Sequence, residues 1–294
     1  MSMILPFKLS PPEGCSDSPQ WDGMNFVLSG QCTPVLEYSE NFAGWSDELT
    51  ALHEEVAGNS HPIDIASRRD ALKQVKNVMP SAHAVIMEIG CSSGYLIRDM
   101  VHFFPEAVIL GGDVVKEPLF RLAKSISGVP LLRFDLLQCP IPDKSVDVLV
   151  MLNVLEHIED DDSALQKAYN LLKPGGSLVV EVPASPHLYD AYDAELQHFR
   201  RYSASELHSK LNKAGFTIDR KSHLGFILFP AFAAIKIGNK FSLSRKNKTT
   251  VRKQASGTSE SPLVRLAMNV ESNYLSNIQL PFGVRVLVTA RRPA

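Results

Sequence analysis

The sequence predicts an α/β fold in which a mostly parallel sheet carries helices on both faces. Three observations predict it. Residues 85–96, VIMEIGCSSGYL, pass from a β-branched apolar run through Gly90 and Gly94 into a helical pattern continued by Met100, which reads as strand, tight loop and helix start. Short apolar runs and helix-period segments then alternate as far as Phe216, the pattern of successive βαβ units. A last β-rich run, 284–290, closes the chain.

Each element follows in order. Residues 1–40 are rich in Pro, Gly, Ser and Asp with no sustained period, and predict a loose N-terminal arm ahead of one domain over 41–294. At about 45–78, Leu49, Leu52, Ile65, Leu72 and Val75 suggest two short helices joined near 59–62 and placed to lid a site. Residues 108–110 read as a strand ending at Gly111, Gly112 and Asp113, 118–126 as a helix, and 130–134 as a strand before Asp135. The apolar run 146–152, flanked by polar turns, suits a buried parallel strand. Residues 160–172 read as a helix with Leu165, Ala168 and Leu172 on one face and acidic residues at its start, where the helix dipole favours them. Lys173, Pro174, Gly175 and Gly176 should stop it before a strand at 177–182. Ser203 and Glu206 form a capping pair for a helix bearing Leu207, Leu211 and Ala214, which Gly215 ends before a further strand. Ser261 and Pro262 open a late helix.

With 45% hydrophobic and 21% charged residues among 294, the chain can bury a full core. A formal net charge of -2 argues against broad nucleic-acid binding, so no nucleic-acid partner is expected. Cys15, Cys32, Cys91 and Cys139 lack metal-type or C-x-x-C spacing, which points to reduced thiols and a cytoplasmic location. No secretory signal is expected from the N-terminus. The longest apolar stretch, 224–235, contains Pro230 and falls short of the roughly 20 residues that span a bilayer.

The glycine loop carries the chemistry. In an open parallel sheet a nucleoside ligand sits at such a turn, where backbone approaches it closely and a helix presents free N–H groups. A dinucleotide fold wants G-x-G-x-x-G, yet the second and third glycine positions are Ser92 and Tyr95, which disfavours a pyrophosphate. The spacing E-x-G-x-x-x-G at Glu88, Gly90 and Gly94, with Asp113 at the end of the next strand, resembles the first two motifs of the class I S-adenosylmethionine-dependent methyltransferases. The resemblance continues through GGDVV, FDLLQCPIPDKSVDVLV, NVLEHIED, LKPGG and HFRRYSASELHSKLNKAGF. It covers roughly 84–216 together with the terminal VRVLVTARR, and NVLEHIED is similar to the ubiquinone-biosynthesis-type O-methyltransferase branch.

That resemblance implies a Rossmann-like sheet of seven mostly parallel strands with an antiparallel terminal strand, and S-adenosyl-L-methionine as cofactor. It implies that Gly90, Cys91, Ser92 and Gly94 form the cofactor loop and that Asp113 accepts from both ribose hydroxyls. Val114 and Leu136 would sandwich the adenine, Asp135 would accept from its amino group, and Glu88 and Asn153 would orient the methionine tail. The acceptor-side loop, about 185–203, supplies His198 and Tyr202, which with His157 are the candidates to take the acceptor proton; Arg200 and Arg201 suit an anionic or sugar-like acceptor. More distantly, small-RNA ribose methyltransferases hold a divalent metal with E-x-x-E-H and a later histidine. Here Asn153 stands where that pattern wants its first glutamate, so no metal is expected at Glu156, His157 and His198.

The implied function is methyl transfer to oxygen on a small molecule or a glycan or lipid intermediate. Holding the reactants in line can supply about 7–11 kcal/mol, and a base adds about 10²–10⁴-fold. Rival readings are an NAD(P)-dependent oxidoreductase on a similar sheet, a non-catalytic S-adenosylmethionine-binding subunit, and a nucleic-acid methyltransferase, which lacks its (N/D)PP(Y/F) motif where this chain reads NVLE. The inserted segment 224–260 joins an apolar run to Lys240, Arg245, Lys246, Lys248, Arg252 and Lys253, a pattern that reads first as a core helix followed by a solvated loop and alternatively suits peripheral contact through 224–253 with the inner face of an anionic membrane.

Overall fold

The computed structural model describes residues 5–38, 46–56, 59–241 and 261–294. Its N-terminal part corrects the expectation of a loose arm. Strands β1 (Gln20–Trp21), β2 (Phe26–Leu28) and β3 (Gln31–Thr33) form a small antiparallel sheet, and β4 (Val35–Glu37) joins the main sheet. The Pro, Gly, Ser and Asp residues that suggest disorder make turns instead: Asp22 accepts from the N–H groups of Met24 and Asn25 at 2.8 and 2.7 Å. Between those turns Leu9, Phe26, Val35 and Leu36 are buried in the body of the molecule.

Helices α1 (Asp47–Val56) and α2 (Pro62–Val78) lead to the alternating core. That core runs β5 (Val85–Ile89), α3 (Tyr95–Phe103), β6 (Val108–Asp113), α4 (Glu117–Ser125), β7 (Leu131–Arg133), β8 (Val146–Leu152), α5 (Asp161–Leu171) and β9 (Leu172–Pro183). There follow α6 (Ala191–Glu195), α7 (Ala204–Lys213), β10 (Thr217–Leu224), α8 (Phe229–Phe241), α9 (Pro262–Val270) and β11 (Arg285–Arg291). The main sheet has the order β10-β11-β9-β8-β5-β6-β7-β4. Six of these strands, from β9 to β4, pair in parallel, and β11 is antiparallel to both its neighbours. The predicted α/β fold with an antiparallel terminal strand is present, with eight strands rather than seven because β4 extends the edge beyond β7.

Strand alternation divides the core in two. Met87, Ile89, Leu149 and Met151 face Ala164, Leu165 and Ala168 of α5 and Leu207 and Leu211 of α7. Ile86, Val148 and Val150 face Ala71 and Val75 of α2, Leu96, Ile97 and Met100 of α3, and Leu119 and Leu122 of α4. Strand β9 starts directly after α5, so the expected break at Lys173–Pro174–Gly175–Gly176 lies within the strand, opposite a register shift between Val146 and Val148. The chain builds outward from β5 through β6 and β7 and then returns to β8 on the other side. That reversal opens a crevice at the carboxyl ends of β5, β6 and β8, the place where such sheets bind ligands. Arg245, Lys246, Lys248, Arg252 and Lys253 lie outside the described residues, as does the side chain of Lys240.

Candidate functional site

The loop after β5 is shaped by its own backbone. Gly90 has φ +77°, and its N–H and that of Cys91 donate to the Gly112 carbonyl at 2.8 and 3.3 Å, tying the loop to the end of β6. A Cβ on Gly90 would press into the Val154 side chain, so glycine serves both conformation and close approach there. Gly94, at φ +72°, starts α3 against Leu122 and does not face the cavity, so its part is to set the turn. Ser92 takes φ +46° and donates its N–H to Asp113 Oδ2 at 2.7 Å.

This loop walls one end of a cavity of about 780 Å³. Glu88, Gly90, Cys91 and Ser92 line it from the β5 turn, Asp113 and Val114 from the end of β6, Asp135 and Leu136 from beyond β7, and Asn153 from the end of β8. Asp113 Oδ1 accepts from the N–H groups of Val114 and Val115 at 2.7 and 3.2 Å, which holds the carboxylate at the strand end. Burial raises its pKa, with the three N–H donors opposing. Glu88 is 5% exposed, and its Oε2 has no hydrogen-bond partner among the described residues. Burial, reinforced by Asp113, pushes its carboxyl well above the usual range. Asp135 accepts from the Leu137 N–H at 2.9 Å and caps the short turn Leu136–Gln138 while still lining the cavity. Asn153, at φ +53°, donates its N–H to the Glu181 carbonyl at 2.9 Å. Burial pushes the Cys91 thiol well up, which suits a packed residue rather than a nucleophile.

The opposite end is built around Asp193 of α6. Its Oδ1 accepts from Arg201 Nη1 at 2.7 Å and lies 3.2 Å from His198 Nδ1, and its Oδ2 accepts from Lys236 Nζ at 2.8 Å. Lys236 also reaches Asp190 at 2.7 Å. Burial would raise the Asp193 pKa, but His198, Arg201 and Lys236 together hold it far below the usual carboxylate range. His198 has a lowered pKa, chiefly through burial and despite the pull of Asp193, so it is a neutral base near pH 7. The His157 ring lies edge-on to His198 with centroids 4.7 Å apart. Glu156 is fully buried, both carboxyl oxygens lack partners among the described residues, and burial pushes its pKa up to about 8. Glu156, His157 and His198 each offer one atom within 4.8 Å of the others. Two imidazoles and one carboxylate make a donor set better matched to a transition metal than to Mg²⁺.

Tyr202 corrects an expectation. It is fully buried away from the cavity, its hydroxyl donates to Asp161 Oδ2 at 2.8 Å, and burial raises its pKa further above the usual phenol value. It therefore joins α5 to the segment before α7 and takes no acceptor proton. Arg200 likewise turns away, to the Glu159 carbonyl and Asp161. Sequence reasoning missed a third wall. Arg285 of β11 donates to Asp64 and Ser67 of α2 at 2.6 and 2.7 Å and to Glu181 of β9 at 3.1 Å, and all but Glu181 line the cavity. One signal was available: Glu181 interrupts an apolar strand and Lys236 an apolar helix, each the lone charge in its run.

A family model described as a methyltransferase domain matches residues 87–180. A curated protein of Mycolicibacterium smegmatis, named "Probable S-adenosylmethionine-dependent methyltransferase", is 30% identical over 139 residues, 46% of this chain and 52% of that one. The chain thus spans about half the length of the curated relatives it matches. Among solved structures, phosphoethanolamine N-methyltransferase 2 of Haemonchus contortus in complex with S-adenosyl-L-methionine superposes with a TM-score of 0.54 at 18% identity, covering 83% of this chain and 57% of that one. Geranyl diphosphate C-methyltransferase of Streptomyces coelicolor superposes at 0.52 with 13% identity, covering 78% and 79%. At these identities the likeness is one of fold.

Proposed function

We propose that the chain is a class I S-adenosylmethionine-dependent methyltransferase that transfers a methyl group from S-adenosylmethionine to an oxygen of a small-molecule, glycan or lipid-linked acceptor, a reading supported by the methyltransferase-domain match over residues 87–180 and by the curated relatives. The observation that carries this reading is a single cavity with Asp113 at one end and the Asp193–His198 pair at the other. The residues present fit the cofactor: the Gly90 turn lines the cavity with bare backbone, and the orphaned buried Oε2 of Glu88 suits a cationic amino group. When bound, S-adenosylmethionine supplies a sulfonium-activated methyl group.

The chain's own residues do the rest. Asp113, with its inner lone pairs engaged by backbone N–H groups, directs its remaining acceptor capacity to ribose hydroxyls. Asp135 would accept from the adenine amino group, Val114 and Leu136 would flank the ring, and Asn153 and Glu88 would orient the tail, all five lining the cavity. At the far end His198 would take the proton of the acceptor hydroxyl as its oxygen gains the methyl group and the sulfonium S–CH₃ bond breaks, with S-adenosylhomocysteine as the leaving group. Asp193 steadies the resulting imidazolium, and the apolar Phe199, Phe232 and Leu196 limit water.

The test is calorimetric titration with S-adenosylmethionine and S-adenosylhomocysteine, with NADH as control. Asp113→Ala removes charge-assisted hydrogen bonds worth about 1.5–3 kcal/mol each, so affinity should fall by roughly 10²-fold or more. Preference for NADH would overturn the reading in favour of an oxidoreductase. Binding without acceptor-dependent S-adenosylhomocysteine formation across an acceptor screen would favour a non-catalytic subunit.

A further inference from the structure

Helix α8 is built with its charge inward. Of its side chains among the described residues, 229–238, Lys236 alone is buried, at 4% exposure, while its neighbours Ile235 and Ile237 stand 52% and 47% exposed. Surface helices ordinarily show the reverse, an apolar stripe inward and charge outward. Apolar burial therefore contributes little to holding this helix, and two other anchors take its place. At its root the Gly225 and Ile227 N–H groups donate to buried Glu271 at 2.6 and 3.1 Å, and the Phe282 ring packs on Phe226 and Phe229 with centroids 4.6 and 5.3 Å away. Further along, Lys236 Nζ donates to Asp190 Oδ1 and Asp193 Oδ2 at 2.7 and 2.8 Å, with the Tyr192 and Phe232 ring centroids 5.2 and 5.6 Å from the ammonium.

The same helix walls the acceptor end of the cavity. Phe232, Ile235 and Lys236, spaced i, i+3 and i+4, line it together with Asp193, His198 and Arg201. Asp193 is the shared point: its Oδ1 meets His198 and Arg201, and its Oδ2 meets Lys236 and, at 3.0 Å, the Asp190 N–H. A buried ion pair suits a wall that opens. Desolvation of the charges largely offsets their attraction, so the pair's net hold against separated, hydrated partners is small, yet it forms in one geometry only. Moving α8 outward about its root would uncover the acceptor end and take one cation away from Asp193.

We propose that Lys236 is a positioning residue for methyl transfer: its ion pairs latch α8 over the acceptor end of the cavity and fix Asp193 in the place from which it orients His198. The inference rests on the reading of His198 as the base for the acceptor. With the latch open the acceptor enters. With it closed water is excluded, and the Asp193 carboxylate is held between Lys236, Arg201 and His198. The groups that face His198 are Asp193 on α6, Arg201 before α7, Lys236 on α8, and Glu156 and His157 after β8. The positive charge of Lys236 opposes protonation of the imidazole, so closure also readies the base.

The experiment needs no acceptor. Amide hydrogen exchange of the full chain with S-adenosylhomocysteine, read by mass spectrometry, follows α8. NMR of isotope-labelled histidine follows the titration of His198, its resonance assigned by its loss in His198→Gln. In the wild type α8 should exchange roughly tenfold or more faster than α5 and α7, whose apolar faces are buried. Lys236→Met keeps the aliphatic stem and removes the charge, so exchange in α8 should rise by roughly tenfold again. The His198 midpoint should move up, S-adenosylhomocysteine affinity should stay as it is, and Lys236→Arg should restore wild-type exchange and titration. Unchanged α8 exchange or an unmoved His198 midpoint in Lys236→Met would overturn the proposal, as would exchange rising by one factor throughout the chain, the mark of a merely structural lysine. Equal protection of α8 and α5 in the wild type would overturn it too, and that comparison stands even for a methionine variant that does not fold. S-adenosylhomocysteine that fails to bind would overturn the methyl-transfer reading instead, while exchange and titration of the ligand-free chain still read the latch.

Discussion

His198 and Tyr202 both enter as proton acceptors, and their surroundings separate them. The imidazole pairs with Asp193 in the cavity and has its pKa held below 6.5, mainly by burial. Turnover should therefore be flat above pH 6.5 and fall as the imidazole is protonated at lower pH. His198→Gln should lower kcat by about 10²–10⁴-fold while leaving cofactor affinity intact, as steady-state kinetics with parallel calorimetry would read. An acidic limb centred above pH 7 would remove His198 from this role. The phenol is committed to Asp161 inside the core. Tyr202→Phe should keep activity close to wild type and cost about 1–3 kcal/mol of stability in denaturant unfolding. At this scale the glycine loop and Asp113 were legible, because a turn with positive φ and a strand-end acid are local features. The Asp193 cluster was not, since Lys236 and Arg201 reach it from separate segments.

Among the elements, the N-terminal strands depart furthest from expectation. Strand β4 covers the β7 edge, and Leu9, Phe26, Val35 and Leu36 of this segment are buried in the body of the molecule. At about 1.5–3 kcal/mol for each buried side chain, their sum is comparable to the whole stability of a typical domain. Deleting residues 1–38 should therefore lower the melting temperature sharply and give an aggregation-prone product with an open sheet edge. A loose arm would leave the melting curve unchanged. The strands and helices of the βαβ core were readable because the apolar period changes from continuous to helical across each loop. Short strands of two or three residues give no period to read, and β1 to β4 are of that kind.

For the molecule as a whole, buried acids couple stability to pH. Glu156 titrates near 8 in the folded chain against about 4.5 unfolded, so the folded state holds a proton that the unfolded state releases between those values. Stability from this group is accordingly lost as pH rises through that window, by about 3–5 kcal/mol. Glu156→Gln should flatten the decline in unfolding free energy between pH 5 and pH 9, and leave the variant more stable than wild type at the alkaline end. Chemical denaturation at three pH values would read the difference. By itself the sequence determined the α/β class, the order of the βαβ units and the nucleoside-type loop, because apolar periodicity and glycine placement act over a few residues. Only the tertiary structure decided that the N-terminus seals the sheet edge, that Tyr202 is a core residue, and that Asp193, His198, Lys236 and Arg285 share one cavity. Those facts depend on segments far apart in the chain meeting in space, and on which polar groups burial then leaves to pair with one another.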